Sequence, residues 1–188
     1  MTRSHPFLCS HPATKRPNHK SRRVRGAGLA LLVLALQATA AGVSWKPRAS
    51  PIPKGSPWAV VSSASGEELA VYSDRNHQIH LQFKLVDTFR TLAPGHCPTF
   101  QIDTQPPLYH FAVDQGCHID HQRALIDVGV MRNRVLVSAS IDQLMNGTQI
   151  AFRYISADGA YHEADFPLHG SSLAISRALG RGVRVRAK

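Results

Sequence analysis

Alternation of apolar and polar residues is the clearest pattern in this chain, and it predicts β-strands. Within residues 77–86 the odd-numbered positions from Ile79 to Leu85 are apolar, whereas His80 and Gln82 are polar. Strict alternation over this length is typical of a strand with one face on the core and one face in water. Shorter apolar runs separated by turn residues predict further strands at residues 58–62, 69–72, 99–102, 109–113, 124–130 and 134–138.

The segment 148–168 predicts a hairpin whose register follows from its pattern. The apolar positions of both arms are even-numbered, so a two-residue loop would place Phe152 beside Asp165. A three-residue loop that ends at a left-handed Gly159 pairs Phe152 with Ala164 and keeps one face apolar. We therefore expect the three-residue loop.

Two short helices are predicted near the C-terminus. Ser140 is expected to cap residues 141–145, and Ser171 or Ser172 is expected to cap a second helix that ends at Gly180. Many short strands with only two short helices predict an all-β or β-dominated fold. The expected architecture is a small antiparallel sandwich with one or two short peripheral helices.

The first 40 residues differ from the rest and predict an export signal. They hold seven of the 22 Lys and Arg residues and none of the 12 acidic ones, followed by an apolar stretch at residues 26–36 and then small residues. This order is that of a secretory signal peptide, with cleavage expected between Ala40 and Ala41. The alternative is an uncleaved inner-membrane anchor at residues 26–43, close to the roughly 20 residues that a spanning helix needs. Either way the domain lies outside the cytoplasm, periplasmic or secreted in the first case.

Removing the basic leader and signal peptide (residues 1–40) changes the charge argument. The formal charge of +10 falls to +3, because 15 basic residues then face 12 acidic ones, and no nucleic-acid partner is expected. The prolines of residues 41–57 predict an extended spacer, which leaves a β-rich domain at 58–180 and a basic tail at 181–188. The tail is expected to be solvated, with weak contact to an anionic membrane as the alternative. Its cations are Arg181, Arg184, Arg186 and Lys188.

Cysteine and histidine residues offer the only concentrated chemistry. Cys97 and Cys117 remain after removal of the leader, and an even pair of cysteines in an exported protein predicts a disulfide. No cofactor is expected in that case. The alternative is a zinc or copper site that uses the neighbouring His96, His118 and His121. Oxidation of both cysteines would remove the thiolate ligands from such a site.

No catalytic residues are predicted. The chain lacks a Gly-x-Ser-x-Gly motif, and the serines that follow His169 are interpreted as helix caps. The carboxylates are scattered singly along the chain, so no matched acid and base can be assigned.

The C-terminal third carries a recognisable series of short motifs. They are Ile141-Asp142-Gln143-Leu144-Met145-Asn146-Gly147, a strand through Phe152, Asp158-Gly159, Phe166-Pro167-Leu168-His169-Gly170 and Ala174-Ile175. This series resembles the ending of small exported bacterial proteins of the invasion-associated locus B type, and Trp58 resembles the tryptophan that opens their domain. Those proteins usually carry a cysteine shortly after the tryptophan, where this chain has Val60-Val61-Ser62. The resemblance implies a secreted or periplasmic β-rich domain with an interaction or stress-related role, and it implies no catalytic residues.

Together these features predict an exported, non-enzymatic binding or accessory module. Its partner is expected to be an unknown protein in the cell envelope or outside the cell. The alternatives are a metal-binding protein and an envelope-tethered protein with an uncleaved anchor.

Overall fold

Strands make up most of the part of the chain that the computed structural model describes, which is residues 44–187 without 52, 54, 88 and 109–115. In chain order the elements are β1 Lys46–Arg48, β2 Trp58–Ser62, β3 Glu68–Ser73, β4 Gln78–Lys84, β5 Thr99–Ile102, β6 Cys117–Asp120, β7 Arg123–Arg132, β8 Val135–Val137, α1 Ala139–Asn146, β9 Gln149–Ile155, β10 Tyr161–Pro167, α2 Ser171–Leu179 and β11 Arg184–Arg186. The predicted β-dominated class is confirmed. The strand predicted at 109–113 lies outside the described residues.

The strands form two sheets. The larger sheet has the order β1-β2-β3-β4-β7-β8-β11, and β6 pairs with the first half of β7. Neighbouring strands are antiparallel except β11, which runs parallel to β8. The smaller sheet has the order β10-β9-β5 and is antiparallel throughout. This arrangement agrees with the predicted small sandwich.

Phenylalanine side chains fill the space between the two sheets. Phe83 of the larger sheet stacks on Phe152 of the smaller one, with ring centroids 5.1 Å apart. Phe100 stacks on the same ring at 5.2 Å, and Phe166 meets Phe83 edge-on at 6.3 Å. All four are fully buried, and burial of such a side chain contributes about 1.5–3 kcal/mol. This aromatic layer therefore holds the sheets together.

The β9–β10 hairpin has the predicted register. Phe152 lies opposite Ala164, and Ile150 lies opposite Phe166. Gly159 closes the three-residue loop with a φ of +84°, a left-handed conformation that glycine adopts without steric cost. This pairing confirms the prediction. A loop one residue shorter or longer would have turned the apolar side chains of one arm away from the core.

The cap predicted for the first helix was wrong. Ser138, and not Ser140, is the N-cap of α1, and its side chain accepts a hydrogen bond from the backbone N–H three residues further on. The Ser138 backbone is extended, and its N–H donates to the carbonyl of Arg186 in β11 at 2.9 Å. A contact with a strand from the far end of the chain therefore decides which serine caps the helix.

The second helix has no side-chain cap, so that prediction was wrong as well. Gly170 precedes α2 with a φ of +80°. The Ser171 hydroxyl instead donates to the carbonyl of Leu144 in α1 at 2.7 Å. This hydrogen bond joins the two helices.

The folded part extends beyond residues 58–180 at both ends. Strand β1 lies within the predicted spacer, and Trp45 just before it is buried, with its indole N–H donating to the carbonyl of Pro167 at 2.9 Å. Strand β11 lies within the predicted basic tail, where Val185 packs against the core. Both strands have three residues and lie at sheet edges, where Pro47 is tolerated. Such short strands leave little periodic signal.

Candidate functional site

The larger sheet buries part of its outer face, the face opposite to the phenylalanine layer. His80 and Gln82 were predicted to point into water, but they are only 9% and 7% exposed. Their cross-strand neighbours on β3 are Tyr72 and Ala70, which belong to a second apolar cluster on this face. The prediction was wrong because alternation within one strand does not show which side chains the next strand contributes.

Three aromatic rings form a row on this face. Trp58 stacks on Tyr72 with centroids 4.1 Å apart, and Tyr72 contacts the His80 ring at 5.2 Å. The Arg48 guanidinium lies 6.0 Å from the centre of the Trp58 ring, within the range of a cation–π contact. Burial raises the pKa of Tyr72. The rings are thus packed against one another and form a rigid side of the outer face.

The His80 ring lies between two carboxylates. Its Nδ1 is 2.7 Å from Asp127, and its Nε2 is 3.5 Å from Asp74. Burial alone would raise the pKa of Asp74, but hydrogen bonds from the backbone N–H groups of Gln78 and Asn76, together with His80, outweigh it and lower the pKa. These contacts fix the orientation of the imidazole.

Four charged residues form a row across the outer face, and we call it the charged row. In order across the sheet they are Glu68 on β3, Lys84 on β4, Arg123 on β7 and Asp120 on β6. Lys84 is the cross-strand partner of Glu68 on one side and of Arg123 on the other, and Arg123 is the partner of Asp120. Arg48 binds both carboxylate oxygens of Glu68, at 2.6 and 2.7 Å. Arg123 binds Asp120, and this hydrogen bond lowers the pKa of that carboxyl. Within the described residues Lys84 forms no ion pair.

A groove lies over the charged row, and we call it the outer groove. Its first section has a volume of about 780 Å³ and lies between Arg48 and Pro51 on one side and the turn at residues 120–122 on the other. A second section of about 560 Å³ continues to His118, and the two sections share Gln82. Volumes of this size are typical of ligand sites.

A buried carboxylate joins the two sheets away from this groove. Glu67, in the turn before β3, is 6% exposed and accepts hydrogen bonds from the hydroxyls of Ser63, Ser65 and Tyr154. The Arg90 guanidinium lies 3.9 Å away. Burial alone would raise the pKa of Glu67, but the hydroxyl hydrogen bonds outweigh it and lower the pKa. Since Tyr154 belongs to β9, this cluster is a polar link between the sheets.

The predicted disulfide between Cys97 and Cys117 is confirmed. The two residues are 20 positions apart, and their Cα atoms are 6.4 Å apart. Cys97 precedes β5 of the smaller sheet, and Cys117 begins β6 of the larger one, so the bond ties the two sheets together. Disulfides persist in oxidising compartments, which indicates a location outside the cytoplasm. None of the helices among the described residues is long and apolar enough to cross a membrane.

The three histidines proposed as metal ligands do not form a cluster. Among the described residues, no group of three or more His, Cys, Asp or Glu side chains is arranged to hold a metal ion. His96 contacts the carbonyl of Pro94 through Nδ1 at 3.0 Å, whereas His118 and His121 are exposed at the outer groove. The disulfide also occupies both thiols, and zinc binds cysteine as the thiolate.

One serine and one histidine meet in the β9–β10 hairpin. The Ser156 hydroxyl lies 2.9 Å from Nε2 of His162 and donates to Asp158. In a hydrolytic triad the carboxylate orients the imidazole, whereas here it binds the serine. Ser156 is also 2% exposed. The contacts stabilise the loop and do not present a nucleophile.

The fold and the groove define a small disulfide-linked β-sandwich with a polar cleft on one sheet. No family model matches the chain, and no curated protein or solved structure matches it either. The resemblance to proteins of the invasion-associated locus B type therefore stays a prediction.

Sequence reasoning did not find the outer groove. Its charged residues come from five strands, and each one alone is an ordinary polar residue of a strand or turn. The sequence shows only that Lys84 occupies a polar position of one predicted strand and that Arg123 directly precedes another. Their meeting depends on the pairing of β4 with β7 across about 40 residues of sequence, which no local pattern reveals.

Proposed function

We propose that this protein is an exported, non-enzymatic binding module that contacts a protein partner through the outer groove. The observation that supports this proposal is the groove itself, about 780 Å³ in volume and lined by charged side chains from several strands. A periplasmic or secreted location agrees with the disulfide and with the signal peptide predicted to end at Ala40. The resemblance to exported proteins of the invasion-associated locus B type supports the same role.

The carboxylates of the groove favour binding over catalysis. Its carboxylates are engaged in ion pairs, Arg48 with Glu68 and Arg123 with Asp120. A general acid or base needs to be free to exchange a proton with a substrate. Fixed charges of both signs instead provide electrostatic complementarity, which gives specificity to a protein interface.

Replacing one groove residue by a bulky side chain tests the proposal. His121 is exposed in the turn between β6 and β7 and lines both sections of the groove, so His121→Trp narrows the groove without touching the core. His169→Trp is the matched control, since His169 is also exposed and lies outside the residues that line the groove. We expect immobilised wild-type protein and His169→Trp to retain the same proteins from an envelope extract, and His121→Trp to lose them.

The comparison requires that both variants fold. Urea unfolding of each purified protein checks this. The proposal fails if wild-type protein retains no specific partner, or if His121→Trp retains partners as well as wild type does. Measured turnover of a substrate by the purified protein would contradict the non-enzymatic part.

A weak contact with an anionic membrane is a second proposal, favoured by the geometry of β11. Arg184 and Arg186 alternate with Val185 and are both exposed, so they lie on one face of the strand. Each such cation near an anionic surface contributes about 1 kcal/mol. Joint replacement of both arginines by glutamine should weaken salt-sensitive sedimentation with phosphatidylserine vesicles and leaves β11 in place. Equal sedimentation of this variant and wild type would refute the contact.

A further inference from the structure

Two cations lie side by side on the floor of the outer groove. Lys84 and Arg123 are direct cross-strand partners in the antiparallel pair β4–β7, and both line the groove. Side chains at such positions have Cβ atoms about 4.5–5.5 Å apart, and like charges there destabilise a sheet. A negative charge placed between the two side chains would relieve this repulsion.

The neighbouring carboxylates do not supply that charge. Glu68 is the partner of Lys84 on its other side, but both of its oxygens are bound to Arg48. Asp120 binds one terminal nitrogen of Arg123, and a guanidinium has five N–H donors. Lys84 has no ion-pair partner within the described part of the chain. Donors of both cations therefore face the groove with capacity for a further anion.

A carboxylate suits this position better than a phosphate. Each cation has an acidic residue one strand further out, Glu68 beside Lys84 and Asp120 beside Arg123. Together with Arg48 these groups carry three positive and two negative charges, so a monoanion neutralises the net charge of +1, whereas a dianion leaves a net charge of −1. The planar fork of the guanidinium matches both a carboxylate and a phosphate, so the balance of charge favours the carboxylate.

The rest of the groove suits a peptide backbone. The amide of Gln82 and the hydroxyl of Thr91 line the same section as the two cations. Amide and hydroxyl groups donate and accept hydrogen bonds, as the N–H and C=O groups of a peptide do.

We infer that the outer groove binds a carboxylate-bearing peptide segment, with the carboxylate held between Lys84 and Arg123. This inference rests on the proposed function and names the chemistry of the partner. The carboxylate is an aspartate or glutamate side chain or a chain terminus of that partner.

Three blocked pentapeptides that differ only in the central residue test the inference. The central residue is glutamate, glutamine or phosphoserine, flanked by serine and glycine, and binding to the purified protein is followed by two-dimensional NMR titration. We expect the glutamate peptide to bind about tenfold or more tightly than the glutamine peptide, as for loss of a charged hydrogen bond. The phosphoserine peptide should bind no more tightly than the glutamate peptide, and the shifted amides should lie in β4 and β7.

Two substitutions and a matched control locate the site. Lys84→Gln and Arg123→Gln should each weaken the glutamate peptide by about tenfold. Arg132→Gln, the same change on an exposed residue of β7 outside the groove, should change its affinity less than about twofold, as for a distant screened charge. Without peptide, Lys84→Gln should leave the urea midpoint unchanged or raise it, because it removes a like-charge contact.

Several outcomes would overturn the inference. Equal weakening by Arg132→Gln would show that only net charge matters, and a preference for phosphoserine would make this a phosphate site. A lowered urea midpoint of Lys84→Gln would contradict the premise that Lys84 repels Arg123 and has no anionic partner within the protein. If the glutamate peptide does not bind while His121→Trp still loses its envelope partners, the peptide inference fails and the proposed function stands.

Discussion

Glu67 shows how a single residue can link two sheets through charge. A buried carboxylate loses its hydration, and hydrogen bonds can compensate for that loss. Here the hydroxyls of Ser63, Ser65 and Tyr154 provide them, and the pKa of Glu67 is lowered as a result. A carboxyl whose pKa is lower in the folded than in the unfolded state stabilises the fold above its unfolded pKa. This contribution is lost as the pH falls through the folded pKa.

The first prediction concerns Glu67→Gln. At pH 7 we expect the free energy of unfolding to fall by about 1–3 kcal/mol, because the variant removes a charged acceptor from a buried cluster. The difference from wild type should shrink as the pH is lowered from about 5 towards 3, where the wild-type carboxyl takes up its proton. Urea unfolding at a series of pH values measures both effects.

Glu163→Gln provides the control for this prediction. Glu163 forms an exposed ion pair with Arg153, and such pairs contribute about 0–1 kcal/mol. The interpretation of Glu67 is wrong if the two variants lose equal stability, or if the deficit of Glu67→Gln is the same at pH 3 and pH 7.

At the scale of elements, a bulge between β4 and β7 makes one glycine necessary. Ile79 pairs with Gly129, whereas the next residue, His80, pairs with Asp127, so β7 has an extra residue at Val128. Gly129 has a φ of +151°, and a Cβ there would lie 2.8 Å from a side-chain carbon of Leu136. The bulge therefore depends on the absence of a side chain at this position.

We predict that Gly129→Ala lowers the free energy of unfolding by about 1–3 kcal/mol, because the buried Leu136 has to move and the backbone is strained. Gly180→Ala separates the two causes, since Gly180 has a φ of +101° but no atom within 4 Å of the added Cβ. The urea midpoints of the two variants, compared with that of wild type, show how much of the loss at Gly129 comes from the contact with Leu136. Equal losses would mean that only backbone strain acts at Gly129.

The disulfide is a covalent cross-link between the two sheets, and its removal should lower stability by a predictable amount. Replacing Cys97 and Cys117 jointly by serine opens a loop of 20 residues, which should cost roughly 3 kcal/mol through the entropy of the unfolded chain. Unfolding of the variant is compared with that of wild type with and without a reducing agent. The prediction fails if the variant is as stable as the oxidised protein, or if reduction does not bring wild type to the level of the variant.

The sequence predicts those elements whose signal is local. The β9–β10 register followed from apolar parity and one glycine, and β2 and β5 have the predicted bounds, because each pattern lies within a few residues. The edge strands β1 and β11 and the cap at Ser138 depend on contacts with distant segments. The outer groove depends on the β4–β7 pairing in the same way, so Lys84 and Arg123 could not be singled out beforehand.

At the scale of the whole molecule, the predicted export signal and the disulfide both indicate a location outside the cytoplasm. The predicted signal in residues 1–40 lies outside the described residues and remains a prediction. The confirmed disulfide needs an oxidising compartment. Cysteine labelling can therefore report on export and on signal cleavage together, because Cys9 lies in the leader.

The last prediction concerns the full chain and residues 41–188 produced separately in a bacterial host and treated with a maleimide reagent under denaturing conditions. Cleavage between Ala40 and Ala41 removes Cys9, so the exported domain should take up no label and have the mass of residues 41–188. The chain without a leader stays in the reducing cytoplasm and should take up two labels, at Cys97 and Cys117. One label on a product that keeps residues 1–40 would identify the uncleaved anchor, because Cys9 then stays on the cytoplasmic side. Three labels on the full chain would refute export.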